Sequence, residues 1–97
     1  QNIMIRHIVL FTAKADDQIE TVYNGLKLLE NIDGPWSLSV TKNNKIDKIA
    51  NDIDVVVYGE FPDEAALEQY KADPIYQKSI DIVRPLRDMR VAVDIPA

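Results

Sequence analysis

Residues 58–87 read YGEFPDEAALEQYKADPIYQKSIDIVRPLR, and they set the second half of the fold. A β-rich run, Ile53–Phe61 (IDVVVYGEF), ends at Phe61. Asp63 then offers a helix N-cap with Glu64 in the first turn. The helix runs to about Ala72. Pro74 cannot continue it without losing a hydrogen bond and clashing with the preceding turn. A further helical piece runs from Ile75 to about Val83, and Arg84-Pro85 stops it. Beyond it, Asp88–Ile95 (DMRVAVDI) alternates as a strand, with Met89, Val91, Val93 and Ile95 on one side.

Upstream, the first half repeats the pattern. Ile3–Phe11 (IMIRHIVLF) reads as a strand rich in β-branched residues. Asp16-Asp17 offers a second N-cap, and Ile19, Val22, Tyr23, Leu26 and Leu29 follow at helical spacing. Gly25 within that stripe marks a point of close packing. Asp33-Gly34-Pro35 ends the helix. Trp36–Thr41 alternates as a strand, with Trp36, Leu38 and Val40 on one side. Lys42–Asp52 is a polar loop in which Ile46 and Ile49 could form a helical turn. The order is β-α-β-β-α-β. This is the ferredoxin-like split βαβ pattern of the α+β class: a four-stranded antiparallel sheet with both helices on one face. At 97 residues the chain is one domain, 1–97.

Two helices cover one face of such a sheet, yet both faces read apolar. In the first strand Ile3, Ile5, Val9 and Phe11 point one way and Met4, Ile8 and Leu10 the other. In the third, Val55, Val57 and Phe61 lie opposite Val56 and Tyr58. A bare face carrying Ile8, Leu10, Val56 and Tyr58 marks an interaction surface. The expected partner is a second copy, two sheets closing face to face around a two-fold axis.

The net charge of −5 and the scattered Lys and Arg argue against nucleic acid or an anionic membrane as partner. There is no cysteine, which excludes disulfides, thiolate metal sites and a thiol nucleophile and suits a cytoplasmic location. No apolar run approaches the ~20 residues of a membrane span. Met4 is a candidate initiator with residues 1–3 ahead of it. One histidine and no cysteine give a transition metal little to bind, and no nucleotide motif is present, so neither metal nor cofactor is expected.

Three side chains could carry chemistry. His7 sits mid-strand on the side of Ile5 and Val9. It reads either as a packed core imidazole or as a base in a pocket between sheet and helices, since its unperturbed pKa is ~6.5. Tyr70 and Tyr76 flank the Asp73-Pro74 break. They are either packing residues with hydroxyls at the rim or paired phenols lining the same pocket. Tyr23 and Trp36 read as packing residues. The acids Asp47, Asp52 and Asp54 flank a loop and are expected to be solvated.

The motifs His7–Phe11 (HIVLF) with Lys14, and Glu60-Phe61, Ala66-Leu67, Tyr70 and Pro74 at their spacing, resemble the signatures of the stress-responsive A/B barrel (Dabb) domains. Asp63 stands at their capping serine, and Val91–Asp94 (VAVD) is similar to their last strand. The resemblance implies a dimeric α/β barrel. Members include stress-associated plant proteins, bacterial proteins of unassigned role and a plant polyketide cyclase. That cyclase uses a first-strand histidine, a helix tyrosine and a further histidine. The first two carry over to His7 and Tyr70. Tyr76 stands at the third, and Asp73 replaces the histidine before the proline. The site expected from the resemblance is therefore His7, Tyr70 and Tyr76.

Three functions fit this reading. The first is a homodimer binding a small carbonyl or polyketide-like molecule between sheet and helices, with proton transfer at His7. The second is a non-catalytic stress-response or assembly protein. The third is a cofactor-free monooxygenase of the wider dimeric barrel group.

Overall fold

The computed structural model describes residues 4–97. The first strand, β1 (Ile5–Ala13), leads through a 3-10 turn (Asp16–Gln18) into α1 (Ile19–Lys27), which tightens into a second 3-10 turn (Leu28–Asn31). The strands β2 (Ser37–Lys42) and β3 (Val55–Phe61) form a hairpin across a long loop. The helices α2 (Glu64–Ala72) and α3 (Pro74–Val83) precede the last strand, β4 (Arg87–Pro96). All neighbouring strands are antiparallel, in the order β2-β3-β1-β4. The expected ferredoxin-like fold is therefore the observed one. The expected role of Ile3 lies outside the described residues.

Local chemistry explains the boundaries around the helix break. The Asp63 carboxylate accepts from the Ala66 backbone N–H at 2.8 Å, which caps α2 as its sequence suggests. Asp73 does the same for α3, accepting from Ile75 N at 2.9 Å with Pro74 at the first helical position. Asp73 thus ends one helix and opens the next. The first helix differs from expectation: neither Asp16 nor Asp17 caps it, because both lie inside the 3-10 turn that leads into it. The loop between β2 and β3 also departs from the sequence reading. Lys45 and Ala50 have φ of 54° and 51°, which interrupts any helical turn. Ile46 and Ile49 are consequently 82% exposed. Asp54 is buried rather than solvated, because it accepts from Ala13 N at 2.9 Å and pairs with Lys45 Nζ at 2.8 Å.

The core lies between the sheet and the helices. Val9, Phe11, Val40, Val55 and Val57 supply the sheet side, and Val22, Leu26, Leu67, Tyr70 and Val83 the helix side. Gly25 is the close-packing point between α1 and α3. A Cβ there would meet the Cγ2 atoms of Ile82 and Val83 at 2.9 Å. Its carbonyl accepts from the Ser79 hydroxyl at 2.9 Å. Both opposing side chains are β-branched and stiff. Gly25→Val is therefore expected to cost about 1–3 kcal/mol by overpacking, a fall in Tm of roughly 4–8 °C for each kcal/mol. Thermal denaturation with an unchanged Tm would contradict this packing.

The helices leave β4 uncovered: nine of its ten residues are exposed. On the face away from the helices, Ile8 pairs with Tyr58 and Val93, and Leu10 with Val56 and Val91. The β4 residues Met89, Val91, Val93 and Ile95, each 37–41% exposed, extend that apolar face to the sheet edge.

Candidate functional site

The antiparallel register places His7 on the helix side of β1, opposite Gly59 of β3 and Asp94 of β4. The imidazole is 2% exposed. Its Nδ1 lies 2.6 Å from Asp94 Oδ1. A carboxylate only accepts, so Nδ1 carries a proton, and in the neutral imidazole the Nε2 lone pair is left for another partner. Asp94 had no assigned role in the sequence beyond its place in the VAVD motif. Its sequence distance of 87 residues from His7 hides the pair. The usable signal was alternation, which puts Asp94 opposite the apolar side of β4.

Aromatic rings wall the site. The His7 ring centroid lies 6.3 Å from Tyr70 and 6.1 Å from Phe61, both edge-on. Tyr76 meets Tyr70 at 5.2 Å, also near-perpendicular. Trp36 closes the cluster from behind, 5.4 Å from Phe61 and 6.0 Å from Tyr70, so it is the packing residue that its position suggests. Such edge-to-face arrays hold rings in fixed orientations. Tyr23 sits at the rim of the core beneath two cations, Lys42 at 4.9 Å and Lys27 at 5.5 Å.

His7, Tyr70 and Tyr76 line one cavity. It opens between the sheet and α3, with Val9, Phe11, Leu26 and Val57 in its floor and walls. It holds about 400 Å3 of empty space with its open mouth included, of which a water molecule's centre can reach about 40 Å3. The slot is narrow and mostly apolar. Its polar groups are the imidazole, the phenols, Ser79 and three arginines, Arg84, Arg87 and Arg90. Those arginines were not singled out from the sequence, where they read as scattered charge. Among the described residues no three His, Asp or Glu side chains converge as a metal site would need.

Burial raises the Tyr70 phenol well above its ordinary value, and the neighbouring Tyr76 adds to the rise. Tyr70 is therefore a hydrogen-bond donor at any ordinary pH and never a base. The shift also has a stability consequence. In the unfolded chain the phenol ionises near pH ~10, while in the folded chain it stays neutral to higher pH. The stabilisation is full below pH ~10 and declines as pH rises above it. Tyr70→Phe is expected to flatten the fall of Tm above pH ~10, measured as the difference from the native protein. Parallel Tm curves would show that the phenol is not held neutral by burial.

A family model described as the stress responsive A/B barrel domain matches residues 5–97. The chain belongs to the Dabb family. Three solved structures show the same fold. A dimeric protein of unknown function with a ferredoxin-like fold, from Bacteroides fragilis, is 20% identical with a TM-score of 0.79, covering 97% of this chain and 96% of that one. A dimeric ferredoxin-like protein of unknown function from Thermobifida fusca is 24% identical, TM-score 0.74, covering 100% and 93%. A Dabb protein with a ferredoxin-like fold from Mesorhizobium loti is 24% identical, TM-score 0.76, covering 96% and 95%. No curated protein matches. Among the described residues of this Dabb chain no helix is long and apolar enough to cross a membrane.

Proposed function

We propose that this Dabb chain acts as a homodimer whose subunits each bind a small carbonyl compound between sheet and helices, with His7 moving a proton. The observation that carries this reading is the buried His7 imidazole, held at 2.6 Å by the part-exposed Asp94 and lining one cavity with Tyr70 and Tyr76. Asp94 holds the imidazole with Nδ1 protonated, which leaves Nε2 as the proton acceptor. The acidic proton of such a substrate lies on the carbon beside its carbonyl. Nε2 takes that proton, negative charge moves onto the carbonyl oxygen, and a phenol donor stabilises it there. Tyr70 suits the donor role because it stays protonated. The apolar walls exclude water and strengthen each of these interactions.

Support for the dimer is physical. The apolar face of Ile8, Leu10, Val56, Tyr58, Val91 and Val93 is too continuous for a solvated surface. The dimeric structures of the same fold agree with it.

Native mass spectrometry on gently purified protein tests both parts together. The expected result is a mass of two chains, about 22 kDa from the 11.0 kDa chain, with a retained small molecule. A dimer that stays empty, with no carbonyl compound bound or consumed, would favour a purely structural role. Oxygen uptake with a quinol would instead favour the monooxygenase reading. A monomer would remove the face-to-face assembly.

A further inference from the structure

Three of the chain's four arginines line the cavity that holds His7. This is unexpected in a protein with net charge −5. They reach it by different routes. Arg84 caps the C-terminal end of α3, and Arg87 and Arg90 stand on β4. Strict alternation along β4 would place Asp88 beside Arg90 on the helix side. The pairing shifts instead: Phe11 opposes Arg90, but Ala13 opposes Arg87. One extra residue on β4 forms a bulge, which re-aims the strand. The bulge replaces a carboxylate by a guanidinium at the cavity mouth, and Asp88 is absent from the lining.

Among the described residues no carboxylate pairs with this group. The four ion pairs among the described residues join His7 to Asp94, Lys27 to Glu30, Lys42 to Glu20 and Lys45 to Asp54. The cavity lining contains no Asp or Glu. Arg90 lies 6.0 Å over the Phe11 ring, which holds its guanidinium at the rim. Arg87 is half-buried, and burial together with Arg90 and Arg84 disfavours its charged form. Like charges gathered in a partly dry mouth are costly unless an anion answers them. A guanidinium fork matches the two oxygens of a carboxylate.

We propose that the ligand of this pocket is an organic carboxylate, its charged end held by Arg87 and Arg90 at the mouth and its apolar body directed past Phe11 and Val57 towards His7. The inference rests on the pocket reading given above and adds the class of ligand. Arg84 contributes to the positive field that draws the acid in.

Isothermal titration calorimetry with octanoate and its uncharged partner octanamide tests it. Octanoate is expected to bind more tightly than octanamide. Arg87→Gln and Arg90→Gln are each expected to weaken octanoate by roughly tenfold to a hundredfold while leaving octanamide unchanged. Circular dichroism will show whether both variants are folded, as their rim positions predict. Equal binding of the two probes by the native protein would overturn the carboxylate assignment and leave the pocket standing. Octyl phosphate bound more tightly than octanoate would also overturn it. Binding of neither probe would overturn the pocket and the assignment together.

Discussion

Leu10→Asp is expected to convert the protein from dimer to monomer. Leu10 stands at the centre of the uncovered sheet face, paired with Val56 on one side and Val91 on the other. In a two-fold interface the same residue counts twice. Each copy loses the burial of a leucine, ~1.5–3 kcal/mol, and must take a carboxylate out of water at several kcal/mol more. The dissociation constant should rise by more than about a thousandfold. Sedimentation equilibrium or native mass spectrometry reads this directly. The core on the other face does not involve Leu10, so the chain should keep its secondary structure. If the face were solvated in the functional protein, the same substitution would change stability by no more than about 0.5 kcal/mol and leave the mass unaltered. A Leu10→Asp protein that stays dimeric would refute this interface.

Asp94→Asn is expected to lower turnover by roughly 10²–10⁴-fold, the contribution of a positioned general base. The amide can donate to Nδ1, which favours the opposite tautomer and leaves the proton on Nε2, where the lone pair is needed. Asp94 is 44% exposed, so the change should cost little stability. His7→Ala is expected to abolish turnover outright, but it also empties a buried space between Phe61 and Tyr70. The two variants therefore differ usefully. A loss in both, with Asp94→Asn still folded and still binding ligand, locates the effect in the proton rather than in the packing. Rates preserved in Asp94→Asn would remove the pair from the chemistry. The measurement is steady-state turnover of the carbonyl compound recovered with the native protein. The tautomer itself can be read by nitrogen-15 NMR of the single histidine.

Much of the fold was legible because its signals are local. The cap at Asp63 acts within three residues, and Pro74 acts on its own turn. Alternation in β1 and β3 is enough to put His7 among the core residues and Leu10 on the opposite face. The loop before β3 was less legible. Its turns rest on left-handed residues, Lys45 and Ala50, that carry no glycine signal. Asp54 read as a solvated loop acid, and only contacts with Ala13 and Lys45 explain its burial.

The amino-acid sequence by itself determined the order of elements and the two-faced sheet, and it singled out His7, Tyr70 and Tyr76 as candidates. Each follows from periodicity, capping or backbone restriction over a few residues, or from motifs with defined spacing. Tertiary structure alone decided that Asp94 meets His7, because strand pairing joins residues 87 apart. It also decided that Arg87 turns into the cavity mouth. An alternating strand places Arg87 with Met89 and Val91, and the bulge opposite Thr12 reverses that side. Register and bulges depend on which partner strand supplies the hydrogen bonds. That information belongs to the assembled sheet and to no single segment.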